Sequence, residues 1–398
     1  MAGPLAGIRV LDLGRWIACP FCGMLLADLG AEVIRVERPG GSEDRFVGPL
    51  SPSGDIYSFA NQNRNKKAVT LNFERNDKAR EILMSLVKHT DVVIENFSPT
   101  AAEAMGITYE NLKKVKPDII FAHVSSFGPT GPYSHRIGFD HIAKAMSGSM
   151  SISGFPGNRP IKEAPPHIDY GTASLTAVGV LAALYHRQLT GEGQMIDTTL
   201  LQTAVTYMAP QIGEWETGKM LRQQIGNRAY WCGPSDLYQT KDGKWVMLAF
   251  ITNSIWRRFT RFIGREDLAT DPKFKEEWDR WEQRDIIDPI VAEWAASKTA
   301  DEIFAVAEEV PIPCGICYKH TEVASDPQVK AREMLTELPA HNGQGNVLVT
   351  GIPLRMSGTP LKIERSFPAI GEHNEAVYHE ILGYSREDLD KLEEKGII

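Results

Sequence analysis

Ile8-Arg9-Val10-Leu11-Asp12-Leu13, then Pro20-Phe21-Cys22-Gly23-Met24-Leu25-Leu26-Ala27-Asp28-Leu29-Gly30, then Glu32-Val33-Ile34-Arg35-Val36-Glu37, decide the fold. The first and last runs are apolar and β-prone. The middle run is helical, with Pro20 suited to the first turn and Gly30 to the C-terminal cap. A strand, helix and strand within so few residues form a βαβ unit, and that connection requires parallel strands. The alternation continues through strand Ala68–Phe73, helix Asp77–Lys88, strand Asp91–Asn96, a helical pair ending at Val115, and strand Asp118–Ser125. Val92-Val93-Ile94 and Ile119-Ile120-Phe121 are unbroken apolar runs, as expected of strands covered by helices on both faces. The sequence therefore predicts an α/β protein built on a doubly wound, Rossmann-like domain.

Beyond Phe127 come the turn-rich Gly128-Pro129-Thr130-Gly131-Pro132, a helix near Asp140–Met146, and a glycine- and serine-rich segment from Ser147 to Gly157. A long apolar helix including Ala173–Tyr185 follows, closed by Gly191, and a strand resumes over Gln194–Leu200. From Gly226 the text changes: a hairpin over Leu237–Phe250, then amphipathic helices, mark a smaller α+β domain. The expected division is a large domain over 1–225, a small one over 226–325, and a C-terminal segment, 326–398, returning to the first.

The formal charge of −8, with a pI near 5.8, argues against nucleic acid or an anionic membrane as partner, since both demand clustered cations. Met1–Gly7 has no charged leader before an apolar run, and the apolar stretch at Ala173–Tyr185 reads as too short to cross a bilayer, so a cytoplasmic location is expected. Five cysteines do not make a disulfide framework in so long a chain. Cys19/Cys22 and Cys314/Cys317 nonetheless have Cys-x-x-Cys spacing. The first pair lies between a strand and a helix, where a thiol redox motif would sit, with packing as the plain reading. The two pairs are separated by most of the chain without a histidine cluster, so no metal site is expected.

A doubly wound sheet suggests a nucleotide beyond the carboxyl ends of its strands. The loop Gly14-Arg15-Trp16-Ile17-Ala18-Cys19-Pro20 has one glycine where a dinucleotide fingerprint needs three, and there is no Walker loop. Arg38, at the end of the second strand, suits a phosphate carried on a ribose, which coenzyme A and NADP share. With the fingerprint missing, coenzyme A is the better fit. Asp169, in Pro165-Pro166-His167-Ile168-Asp169-Tyr170-Gly171, precedes the long apolar helix. Such an acid is usually an N-cap. The position is also suited to a carboxylate nucleophile, kept ionised by the helix terminus with backbone donors near Gly171 to hold an oxyanion. Asp140 is a second acid entering a helix. The residues alone leave these readings open.

Several motifs in order resemble the class III coenzyme A transferases, the group that includes formyl-CoA:oxalate and crotonobetainyl-type enzymes. They are Pro4–Asp12, Leu26–Ile34, Asn65-Lys66-Lys67, Glu95-Asn96-Phe97, Phe127–Pro132 and Ser325-Asp326-Pro327-Gln328, spanning nearly the whole chain. The resemblance implies that Asp169 is the catalytic aspartate, that Arg38, Asn96 and Phe97 lie along bound CoA, and that Asp140 matches an acidic or polar position of the active site. It also implies an acyl-CoA thioester and a small carboxylic acid as substrates, no permanently bound cofactor, an aspartyl anhydride and aspartyl-CoA thioester as intermediates, and an interlocked homodimer. The chain departs from relatives at Ile17, where some carry a polar side chain, which disfavours oxalate, and at Ala104, where an Arg is common. The alternatives are an α-methylacyl-CoA racemase-like epimerase, whose His before the Asp is here Phe139, and a thiol redox protein using Cys19 and Cys22.

Overall fold

A computed structural model of the chain describes residues 3–398. These divide into two compact units. The first comprises the chain up to Ser149, Lys162–Met220 and Pro327–Ile398; the second comprises Met150–Ile161 with Leu221–Asp326. Against the expected division, 150–161 departs most, joining the second unit rather than the first.

The first unit is organised by six strands: β1 (Arg9–Asp12), β2 (Glu32–Glu37), β3 (Lys67–Thr70), β4 (Val92–Glu95), β5 (Ile120–Ser125) and β6 (Met195–Thr199). Their order is β3-β2-β1-β4-β5-β6 and every pairing is parallel. Between and after them run α1 (Ala18–Asp28), α2 (Tyr57–Asn63), α3 (Asp77–Val87), α4 (Pro99–Met105), α5 (Tyr109–Val115), α6 (Asp140–Ser147), α8 (His167–Thr190) and α9 (Leu200–Gly218), while α7 (Ser149–Ile152) belongs beyond Ser149 to the second unit. Strand residues alternate between two cores. Leu11, Ile34, Val36, Val93 and Phe121 meet Ile82 and Leu86 of α3, Leu112 of α5, and Val377, Tyr378 and Ile397 from the chain end. Val10, Val33, Val92, Ile94 and Ile120 meet Cys22 and Leu26 of α1 and Ala173, Ala177, Val180 and Ala183 of α8. The small residues of that α8 stripe let α1 approach closely.

Beneath α1 the Lys66 ammonium lies 2.7 Å from Asp12 Oδ2 and also donates to the Pro20 carbonyl and to Asn63 Oδ1, with both charged side chains fully buried. Cys19 and Cys22 pack in the same layer, wholly enclosed. Burial, with Asp12 nearby, pushes both thiols up and away from the thiolate. The redox reading of this pair is therefore corrected to packing.

One expectation about helices also changes. Helix α8 is 24 residues long, well beyond Ala173–Tyr185, and by length and composition it could cross a membrane. One stripe of it packs against the sheet, while Val178, Tyr185 and Leu189 on its other side are exposed. Helix α9 continues to Gly218 despite Pro210 within it. The chain end adds an antiparallel hairpin, β10 (Leu335–Pro339) with β11 (Asn346–Thr350), over Ile56, Phe59 and Ala60 at α2.

The second unit holds a three-stranded antiparallel sheet of β7 (Ser235–Gln239), β8 (Trp245–Ala249) and β9 (Cys314–Ile316). Its core is Phe250, Trp256, Phe259, Ile287, Val291 and Ile303.

Candidate active site

In the first unit the chain leaves β1 toward β2 and leaves β4 toward β5, in opposite directions along the sheet. A crevice opens between the loops that follow these two neighbouring strands, the place where doubly wound folds bind ligands. The loops are tied together. Asn96 Oδ1 accepts from the Arg15 amide at 2.8 Å, and Asn96 Nδ2 donates to the Arg15 carbonyl at 2.8 Å. The Arg15 guanidinium donates to the Leu13 carbonyl, pairs with Glu74 at 3.0 Å and lies 5.5 Å from the Phe97 ring centre. Gly14 has to be glycine: a Cβ there would lie 2.2 Å from that of Cys19. Trp16 takes the left-handed conformation, φ 66, which is strained for so bulky a residue. This turns its ring outward, edge-on to Phe139.

The turn after β4 is braced from below. The Phe97 amide donates to Glu95 Oε2 at 2.6 Å, and Glu95 Oε1 meets Nδ1 of buried His123 on β5. Burial alone would depress the His123 pKa, but the Glu95 carboxylate reverses this and raises it.

The crevice forms a cavity of about 200 Å³ whose walls include Trp16, Ile17, Asn96, Phe97, Phe139 and Asp169. Asp169 is the third residue of α8, so it is not the N-cap. That position belongs to Pro166, which has no side-chain acceptor. The first four amides of α8 are nevertheless all paired. His167 donates to the Pro165 carbonyl and Tyr170 to that of Pro166, while Ile168 and Asp169 donate to Asp140 Oδ1 at 2.8 and 3.3 Å. Asp140 thus caps α8 from α6. Its other oxygen lies 2.9 Å from the ammonium of Lys144, which is fully buried and donates to the Pro165 carbonyl at 2.6 Å.

Among the described residues the Asp169 carboxyl accepts no hydrogen bond. Burial, reinforced by the Asp140 charge and opposed by Lys144, pushes its pKa up to about 7. The expectation that the helix terminus keeps this acid fully ionised is corrected: the terminal amides already have acceptors, and desolvation dominates.

The structure thus brings Asp169, Asn96 and Phe97 to one cavity, with Asp140 behind Asp169. Arg38 is not among the cavity's walls; its guanidinium binds the Gly41 carbonyl at 2.9 Å and Glu43 at 2.9 Å. Gly171 lies inside α8 against α9, where a Cβ would approach the Tyr207 hydroxyl to 2.2 Å. With the terminal amides of α8 paired, no free backbone donor is left there to hold an oxyanion. Sequence reasoning missed Lys144, although its i+4 spacing from Asp140 on a helix was a usable signal.

The first unit thus has a crevice at the switch point of its sheet, without the glycine fingerprint of a dinucleotide site, and a carboxyl on the crevice wall that accepts no hydrogen bond from the described residues. The chain belongs to CoA-transferase family III, whose pattern it matches over residues 5–374, and it is a CoA-transferase. It is 35% identical to the succinyl-CoA–D-citramalate CoA-transferase of Chloroflexus aurantiacus, across 99% of this chain and 98% of that one. It is 33% identical to the succinyl-CoA:mesaconate CoA-transferase of Haloarcula hispanica, across 93% of this chain and 94% of the relative. Among solved structures, a CAIB/BAIF family protein from Brucella suis superimposes with a TM-score of 0.84 at 31% identity, covering 96% of this chain and all of the other.

Proposed function

We propose that this protein moves coenzyme A from an acyl-CoA donor to a carboxylic acid acceptor, with Asp169 as the nucleophile. The observation that carries the reading is a carboxyl on the cavity wall, at the switch point of the sheet, released from capping by Asp140. In the first step a carboxylate oxygen of Asp169 attacks the thioester carbon of the donor and the CoA thiolate leaves, giving a mixed anhydride. The thiolate then attacks the Asp169 carbonyl carbon and expels the donor acid as its carboxylate, leaving an aspartyl-CoA thioester. The acceptor carboxylate attacks that thioester and releases thiolate again. Thiolate attack on the acceptor carbonyl forms the new acyl-CoA and returns Asp169. One thioester replaces another, so no nucleoside triphosphate is needed.

CoA runs past Asn96 and Phe97, with Arg38 on its ribose phosphate. Because the named relatives use succinyl-CoA, the donor class is a short dicarboxyl-CoA. The apolar wall at Ile17 and Phe139 speaks for an acceptor larger than oxalate. The exposed apolar side of α8 supports a homodimer, and five free cysteines suit a reducing, cytoplasmic location.

Incubation with a panel of acyl-CoA donors, succinyl-CoA first, followed by hydroxylamine and intact mass measurement, tests the chemistry. A donor-dependent hydroxamate on the peptide holding Asp169 is expected, with loss of both adduct and turnover in Asp169→Asn. An adduct elsewhere, or turnover surviving in that variant, would sink the assignment.

A further inference from the structure

We infer that Asp140 and Lys144 are positioning residues that dock the start of α8 from outside and so fix Asp169 at the cavity wall. The inference rests on the reading of Asp169 as the nucleophile and adds the device that holds it. A helix needs acceptors for its first four amides. Here Pro165 and Pro166 supply only their carbonyls, and Ile168 and Asp169 turn to Asp140, 28 residues before Ile168 in sequence. Lys144 closes the arrangement by bridging Asp140 Oδ2 and the Pro165 carbonyl, with its side chain entirely buried.

A Ser or Thr at the N-cap would serve the helix without any buried charge. The observed solution instead places two ionic groups in the interior, one of them a like charge beside Asp169, which stability alone disfavours. What it achieves is control. The Asp169 amide is anchored while the carboxyl stays unbonded, and the anchor carries opposed charges acting on that carboxyl.

Other titratable groups lie on the surrounding elements. Helix α8 itself carries His167 and Tyr170, and α1 brings Cys19 and Cys22, both neutral. Tyr207 comes from α9, His123 and Asp197 from β5 and β6, and Arg136 from the cavity wall. Among the described residues, only Asp140 and Lys144 act on Asp169 through their charge.

The test follows the rate of the hydroxylamine-trapped adduct from succinyl-CoA between about pH 5 and 9, a range that brackets the acid limb of a carboxyl so raised. Lys144→Met keeps the Asp140 cap but removes the cation, so the limb should move up by about one pH unit. Asp140→Asn/Lys144→Met keeps a cap oxygen but removes both charges; because the Asp140 influence exceeds that of Lys144, the limb should move below wild type. Asp140→Ala/Lys144→Met should share that lowered limb, but with the anchor lost its plateau rate should fall about 10²-fold below the Asn-containing double variant. Should Lys144→Met fail to fold, the two charge-free double variants decide the matter. Unmoved limbs, or equal plateaus in the two double variants, would overturn the inference. An adduct that persists in Asp169→Asn would instead overturn the nucleophile assignment, so the two failures are separable.

Discussion

Two buried carboxylate–lysine pairs in the first unit use the same chemistry for different ends. Asp12 and Lys66 lie under α1 with every partner supplied by the protein: the Gly14 amide, the Pro20 carbonyl and Asn63. Both side chains are fully buried, and the pair joins β1 to the chain around β3. Asp140 and Lys144 are also buried, but their carboxylate sits against the start of a helix whose third residue opens onto a cavity. The difference lies in a third ionisable group open to a cavity, which Asp169 provides and the enclosed thiols beside Asp12 do not. Where one is present, the same pair becomes an electrostatic control as well as a clamp.

This contrast can be broken in three ways. The largest effect should come from Lys66→Met, which strands the Asp12 charge in a closed site and should cost about 3–5 kcal/mol in urea titrations. The molecules that remain folded should keep the wild-type pH dependence of adduct formation, and a moved acid limb would erase the distinction between the pairs. Next is Asp169→Asn. A raised folded-state pKa means the folded protein holds its proton where the unfolded chain has lost it, so the ionised acid penalises the fold above about pH 7 and ceases to do so as pH falls through the unfolded value, near 3.8. The variant should therefore melt higher than wild type near pH 8, by about 2–4 °C for each kcal/mol regained, and not differ near pH 3. An equal gain at both pH values would deny the shift. The smallest effect is expected of Gly171→Ala. The gain in helix propensity, about 1 kcal/mol, opposes displacement of the Tyr207 ring, which is half exposed and free to swing. A net change within about 0.5 kcal/mol is expected in the same titration, and a large loss would show Gly171 to matter beyond packing.

Much of the sheet was legible because its strands are short apolar runs bounded by caps. β2 was read at its observed limits, and Asn76, Ser98 and Gly106 mark helix ends through local rules. Helix α2 was missed since Ile56 at its start offers no side-chain cap and its seven residues carry no strong period. Helix α9 was not drawn at all, and its buried residues, Leu200, Thr203 and Ala204, lie only in its first two turns, well before Pro210. At the site, Asp169, Asn96 and Phe97 could be singled out from motifs, and the cavity gathers them. The identity of the cap could not be read. A local rule assigns that task to Asp169, whereas the acceptor comes from Asp140 on another helix, and no pattern within one segment reports such a bond. The acid's ionisation was misjudged for the same reason.

A helix whose opening amides are held by a distant residue cannot complete its first turn by itself. Formation of that turn and seating of α6 must then be one cooperative event. Hydrogen exchange at the Ile168 and Asp169 amides should report that seating, protected together while the deeper turns of α8 keep their own slower clock.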